Sequence, residues 1–183
     1  ADPSQVDPWS QRNMNLAQGD HPAPRAEADA GAIEAAYRSG LVFHGDIDIP
    51  VIDWRPYLEP WLDMHNAHQS FAARQRMLDQ DGDASNQVIW FTDGPANFDE
   101  DPQFDQSPQA FAVMDEWMAN IRANPDRSVA ENKPTGAVDR CFNVDGSQIA
   151  SGDGVWSGIL DGGAAGACTQ RFPLFSTSRI VAG

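Results

Sequence analysis

Basic residues are scarce in this sequence. The chain of 183 residues has 12 Lys and Arg against 27 Asp and Glu, which gives a formal net charge of −15 at pH 7. Phosphate backbones and anionic lipids bind proteins through basic faces that release counterions. We therefore expect no nucleic acid partner. The excess of acid favours solubility, or a salty or extracellular medium, over the binding of a cationic ligand.

Long apolar runs are also lacking. No stretch approaches the roughly 20 apolar residues that a membrane helix needs, so we expect no membrane partner. The sequence opens at Ala1 without a Met and without a signal peptide. We expect that a leader was cleaved from a secreted protein or that a longer polypeptide was cut, and the sequence leaves both routes open.

Cysteine occurs only twice, at Cys141 and Cys168, on either side of a glycine-rich loop. Ordering so flexible a loop costs much conformational entropy, and a cross-link that closes it stabilises the fold by roughly 3 to 4 kcal/mol. We predict a disulfide, with two unrelated buried thiols as the alternative and a metal pair disfavoured by the spacing. A bridge predicts a secreted or periplasmic protein.

Apolar residues are nevertheless plentiful, at 41% with six Trp and nine Phe, so the chain can bury a real core. Residues 49–53 and 87–91 are predicted strands, and a helix-like segment opens between them at residues 63–66. Strand, helix and strand in this order predict a crossover unit of a parallel sheet. Working side chains of such sheets follow the carboxyl ends of the strands, where Asp53, Asp63 and His65 are expected.

A second helix is predicted from Ser107, a natural N-cap, with Pro108 in the first helical position and an end at Asn124. Its apolar residues recur at helical spacing and are predicted to pack on the sheet: Phe111, Met114, Trp117, Met118 and Ile121. The predicted organisation is an extended arm over residues 1–34, an α/β core over residues 35–125, and an irregular glycine-rich segment over residues 126–183 closed by the two cysteines.

Several motifs resemble a poorly characterised bacterial family of secreted α/β-hydrolase-like proteins, a domain of unknown function. They are Pro50-Val-Ile-Asp-Trp-Arg-Pro-Tyr57, Asp63-Met-His-Asn66, Gln69-Ser-Phe-Ala-Ala-Arg74, Asn86-Gln-Val-Ile-Trp90 and Cys168-Thr-Gln-Arg-Phe-Pro173. The resemblance covers residues from about 35 to 183. It implies the carboxyl-terminal portion of an α/β-hydrolase-like parallel sheet with flanking helices, whose nucleophilic serine and oxyanion donors lie in another segment.

Carried onto this sequence, the resemblance implies that Asp63 is the catalytic acid, or failing that Asp53. Such a carboxylate fixes the tautomer of a histidine and stabilises its charged form. The alternative for Asp63 is a helix N-cap. No histidine occurs from residue 69 to 183, so the family's usual base is absent. His65, or His68, is the substitute candidate, and a polar histidine bonded to a neighbour is the alternative.

Other patterns are weaker, and we predict no cofactor and no metal site. His65 and His68 with Asp63 could supply three ligands, but the Glu of a His-Glu-x-x-His motif is missing. Residues 79–83 lack the spacing of a calcium loop, and residues 154–158 lack that of a serine elbow. Residues 162–166 lack the Lys that follows a phosphate loop.

Two functions follow from these observations. The first is a fragment or subunit of a secreted serine-type ester hydrolase, acting on a small-molecule or polymer ester and supplying the acid and possibly the base. The second is a non-catalytic secreted binding or assembly subunit that keeps a hydrolase-like scaffold. Because so few parallel strands leave unpaired edges, we expect stability to require another segment or chain of the same parent protein.

Overall fold

The computed structural model describes residues 16–17, 21–22, 29–61, 65–94 and 105–174. These residues belong to two compact units, one formed by residues 1–42 and 175–183 and the other by residues 43–174. No helix among them is long and apolar enough to cross a membrane. The candidate site lies entirely within the second unit.

The first unit contains a strand pair and a helix. β1 (Leu16–Ala17) pairs antiparallel with β2 (His21–Pro22). α1 (Ala30–Arg38) begins after Asp29, whose side chain accepts a hydrogen bond of 2.8 Å from the N–H of Ala32. This N-cap sets the start of α1. None of the residues of α1 is buried.

The second unit is a mixed α/β structure built on a four-stranded sheet. β3 (Val51–Tyr57), β4 (Gln87–Asp93) and β5 (Arg140–Phe142) run parallel, and β6 (Gln148–Ser151) pairs antiparallel with β5. α2 (His68–Asp81) makes the crossover from β3 to β4, and α3 (Ser107–Ala123) follows β4. This confirms the predicted strand, helix and strand order, although the α/β-hydrolase identity of the sheet stays a prediction.

Helices pack on both faces of the sheet. The apolar side chains of β4 are therefore buried on both sides. On one face Phe71 of α2 packs edge-on to Phe91, with ring centroids 5.8 Å apart. On the other face Trp117 of α3 belongs to the cluster that contains Val88 and Trp90. The predicted packing of α3 on the sheet is confirmed at Trp117, whereas Phe111 is 74% exposed.

The predicted boundaries of β3 and α2 are wrong by several residues. β3 continues past Asp53 to Tyr57, since Arg55 and Tyr57 alternate toward the same face of the sheet as Asp53. α2 begins at His68 and not near residue 63, and it ends at Asp81, before the capping residue Gly82, which adopts the left-handed conformation with φ of 72°. Asp53 therefore lies in the middle of a strand.

The cysteine-bracketed segment is not irregular throughout. It contains β5, β6 and the short helix α4 (Ala167–Arg171). The disulfide between Cys141 of β5 and Cys168 of α4 is present and fully buried, which confirms the pairing. Glycine allows the chain to fold closely on itself here, because a Cβ at Gly166 would lie 2.1 Å from the carbonyl oxygen of Gly154.

An ion pair joins α2 to the segment that precedes β5. Arg74 donates to both carboxylate oxygens of Asp139, at 2.7 and 2.9 Å, and its Nε donates to the side chain of Gln87 at 3.1 Å. Asp139 Oδ1 also accepts a hydrogen bond of 2.8 Å from the backbone N–H of Ile89. One carboxylate therefore connects a helix, the central strand and the entry to β5.

We expect Asp139→Ala to lower the free energy of unfolding by about 3 kcal/mol, because it leaves a largely buried guanidinium and a strand N–H without their acceptor. The control is Glu34→Ala, which breaks an exposed pair with Arg38 and is expected to cost less than about 0.5 kcal/mol. Urea unfolding of both variants measures the difference. Equal, small losses would show that the Arg74 pair is dispensable.

Candidate functional site

The candidate site lies where the carboxyl ends of β3 and β4 meet. Tyr57 and Asp93 end the two strands and face each other in the register. A short 3₁₀ helix, Glu59–Trp61, follows β3, and residues 65–67 form a turn that leads into α2. We call residues 65–67 the histidine turn. Parallel sheets present ligand-binding side chains at this edge.

Two side chains from β3 and its continuation hold the backbone of the histidine turn. Arg55 Nη1 donates to the carbonyl oxygen of Asn66 at 3.1 Å. Glu59 Oε1 accepts from the backbone N–H of Ala67 at 2.7 Å. These bonds fix consecutive residues of the turn, with Ala67 fully buried and the side chain of His65 exposed. The turn therefore presents His65 from an anchored backbone.

Asp53 is engaged by an arginine. Its Oδ1 accepts from Arg55 Nη2 at 2.9 Å and from Arg55 Nε at 3.1 Å. The Asp53 side chain is 16% exposed and the Arg55 side chain 25%. The expectation that Asp53 closes its strand is wrong, because the strand runs four residues further. Arg55 links the Asp53 carboxylate to the histidine turn. The assignment of Asp53 as a catalytic acid stays a prediction.

Asp63, the other predicted acid, lies outside the residues that the structure describes. His65 is described, and it lies exposed between the 3₁₀ helix that follows β3 and the start of α2. His68, the alternative base, is the first residue of α2 and is exposed. The roles of Asp63 and His65 as acid and base therefore stay predictions.

Glu59 is the site carboxylate that the sequence reasoning missed. It is only 4% exposed, and its Oε2 makes no hydrogen bond with any residue that the structure describes. Burial raises the pKa of the Glu59 carboxyl, although the N–H of Ala67 and the charge of Arg55 act in the opposite direction. Because the predicted strand ended at Asp53 and not at Tyr57, the sequence offered no signal that placed Glu59 at the strand end.

The end of α4 packs against Tyr57, at the end of β3. The Tyr57 hydroxyl donates to the carbonyl oxygen of Pro173, and its ring lies 5.1 Å from that of Phe172, centroid to centroid. Arg171 forms an ion pair with Asp93. Burial, with a smaller contribution from the Glu59 charge, raises the pKa of Tyr57 above its usual range, so its phenol remains a hydrogen-bond donor. The disulfide thus ties α4 to the sheet next to the site.

A cavity of about 300 Å³ lies at the opposite edge, beside the amino ends of β4 and β5. Its lining is mostly polar and includes Arg74, Lys133, Asp139 and Asp153. Arg74 is paired with Asp139, and Lys133 Nζ donates to the carbonyl oxygen of Ser85 at 2.8 Å. Arg74, Asp139 and Lys133 thus make contacts that stabilise the fold.

The described part of the chain contains no group of three or more His, Cys, Asp or Glu side chains placed to hold a metal ion. The two connections that follow β3 and β4, residues 58–67 and 94–106, contain no Ser, Thr or Cys. Ser157, in the rejected elbow motif, lies in a turn between β6 and α4. The carboxyl ends of β3 and β4 therefore receive carboxylates, an arginine and a histidine from this chain, but no hydroxyl or thiol nucleophile from these connections.

The fold and the site define an α/β protein with acid and histidine groups at the carboxyl edge of a parallel sheet. The chain belongs to a tannase-like family of unknown function (DUF6351), whose model matches residues 11–183. Comparisons with curated proteins and with solved structures gave no match. The family membership agrees with the hydrolase-like character that the motifs implied, and it leaves the activity of the family open.

Proposed function

We propose that this chain is part of a secreted or periplasmic carboxylic ester hydrolase. His65 acts as the general base, and Asp63 is the carboxylate that orients its imidazole and stabilises the imidazolium. A serine nucleophile comes from another segment or chain of the same parent protein. The substrate is a small-molecule or polymer ester.

The anchored histidine turn carries this proposal. It follows a parallel strand, so it lies at the edge where α/β proteins do chemistry, and its backbone is held by Arg55 and Glu59. Membership of a tannase-like family supports ester hydrolysis as the reaction class. The buried disulfide supports an oxidising compartment, because such bridges persist outside the cytosol.

His65→Asn is expected to lower kcat/KM for p-nitrophenyl esters by about 100-fold or more, since general base catalysis contributes about that much. The measurement uses the full natural protein, with labelling by a serine-directed fluorophosphonate in parallel. Asp63→Asn is expected to act in the same direction. His44→Asn is the control, because His44 is an exposed histidine that precedes β3.

A wild-type protein that neither takes the fluorophosphonate label nor hydrolyses esters would contradict the proposal. So would equal turnover in His65→Asn and His44→Asn. The second candidate function, a non-catalytic binding or assembly subunit, is favoured by one observation: the connections after β3 and β4 have no hydroxyl or thiol nucleophile. Ester turnover that depends on His65 would exclude it.

A further inference from the structure

The histidine turn is held from two sides by groups of opposite charge. The guanidinium of Arg55 binds the carbonyl oxygen of Asn66, and the carboxylate of Glu59 binds the next N–H, that of Ala67. The Asn66 carbonyl and the Ala67 N–H belong to the same peptide unit. This one peptide group is therefore hydrogen-bonded through both its oxygen and its hydrogen. These two hydrogen bonds together fix the rotation of the peptide plane.

Both holding groups are themselves fixed. Arg55 donates two hydrogen bonds to Asp53, in the interior of β3, so its remaining Nη1 points along a set direction. Glu59 is buried to 96% of its surface, given that its exposed fraction is 4%. The orientation of the Asn66–Ala67 peptide, one residue beyond His65, is therefore determined by β3 and by the 3₁₀ helix directly after it.

We propose that Arg55 and Glu59 are positioning residues that set the orientation of His65 through the Asn66–Ala67 peptide, with Asp53 holding Arg55 in place. This inference rests on the proposed function for the role of His65 as a base, but the geometric coupling is testable without any activity. Neither residue is required to contact the substrate. Loss of either hydrogen bond, that of Arg55 or that of Glu59, lets the peptide rotate and misplaces the imidazole of His65.

The charge state of Glu59 adds a pH dependence to this coupling. The charged group that acts on Glu59 is Arg55 of β3. The neighbouring Tyr57 is acted on by Glu59 itself, by Arg171 at the end of α4 and by Asp93 at the end of β4. Burial raises the pKa of the Glu59 carboxyl. As the pH falls through that raised pKa, the carboxylate gains a proton and its bond to the Ala67 N–H weakens.

The test follows backbone amide signals by NMR across a pH titration of the purified protein. The Ala67 amide is expected to shift with a midpoint above the ordinary pKa of glutamate, and Glu59→Gln abolishes that step. Ser107 is the internal control, because its N–H donates to Asp105 at 2.8 Å. The side chain of Ser107, and then this N–H, lower the pKa of the exposed Asp105 carboxyl. An Ala67 amide that does not titrate would overturn the inference.

Imidazole signals of His65 supply the second readout. Glu59→Ala and Arg55→Met are expected to shift them, whereas Glu59→Gln, which keeps an acceptor for the Ala67 N–H, shifts them less. In the ester assay the first two variants are expected to lower kcat by about 10- to 100-fold with little change in KM. Unchanged His65 signals in both variants would overturn the inference.

The two failures can be told apart. If the wild-type protein lacks ester turnover but the His65 signals respond to Arg55→Met and Glu59→Ala, the proposed function fails and the coupling stands. If turnover needs His65 but not Arg55 or Glu59, the coupling fails and the function stands. Should a variant not fold, the wild-type titration decides: a step in the His65 signals at the midpoint of the Ala67 amide supports the coupling, and His65 signals with no step at that midpoint overturn it.

Discussion

Replacing Trp156 with alanine is expected to lower the free energy of unfolding by about 3 to 5 kcal/mol, the range for a large aromatic side chain removed from a core. Trp156 is buried, and its ring lies 4.7 Å from that of Phe91 and 5.5 Å from that of Phe71, centroid to centroid. Its indole N–H donates to the carbonyl oxygen of Ile89 at 3.2 Å. The side chain therefore joins α2, β4 and the segment before α4.

The matched control is Trp54→Ala. Trp54 belongs to β3 but is 39% exposed, so less apolar area is lost and little cavity forms. We expect its cost to stay near 1 kcal/mol. Urea unfolding of the two variants, followed by far-ultraviolet circular dichroism, gives both values. Losses of the same size would mean that the aromatic cluster around Trp156 contributes no more than a surface contact.

Removing the disulfide is the second change with a large expected effect. The double variant Cys141→Ala, Cys168→Ala frees a loop whose ends are 27 residues apart in sequence, and loop entropy predicts a loss of about 3 to 4 kcal/mol. For a protein of this size that loss lowers Tm by about 10 °C. Both sulfurs are buried in the cluster with Phe91 and Phe172, so some packing is lost as well.

Thermal unfolding of the wild type with and without a thiol reductant provides the control, because reduction breaks the same bridge without changing a side chain to alanine. Agreement between reduced wild type and the double variant would assign the loss to the cross-link. A larger loss in the variant would assign the excess to packing. An unchanged Tm in both would contradict the predicted contribution of the bridge.

The elements that could be predicted from the sequence are those that leave a clear signal in consecutive residues or in composition. α3 has Pro108 in its first turn and ends before Asn124-Pro125, and these signals gave its bounds to within a residue. β4 is a run of consecutive apolar residues, as expected for a strand buried on both faces. The disulfide was predicted from the cost of ordering the loop that it closes.

Short strands held by tertiary contacts could not be predicted in this way. β5 and β6 have three and four residues, too few for a periodic pattern, and they form because β4, the antiparallel partner and the bridge at Cys141 hold them in place. β3 was predicted too short because Arg55 and Pro56 are uncommon in strands. Both are tolerated there because β3 has a free edge in the described sheet.

Within the site, residue types alone pointed to Asp53 and His65 but not to Glu59. Asp53 and Arg55 pair as neighbours on the same face of one strand. The predicted strand ended at Asp53 and left Arg55 outside, so this pair could not be predicted. The role of Glu59 depends on its bond to Ala67, eight residues further along the chain. Contacts of this kind are set by how the chain returns to the sheet, and a single sequence carries no direct record of them.

Pro56 limits how the outer edge of β3 can be extended. Val51 donates its N–H to the carbonyl oxygen of Asn86, on the β4 side. Because backbone groups alternate along a parallel strand, the backbone N–H positions of residues 52, 54 and 56 face the unpaired edge of β3. Proline has no N–H to offer at the last of these positions. An incoming strand from another polypeptide could therefore pair along the first half of β3 but would have to diverge before Tyr57. That divergence would fall at the end of β3 that leads to the histidine turn.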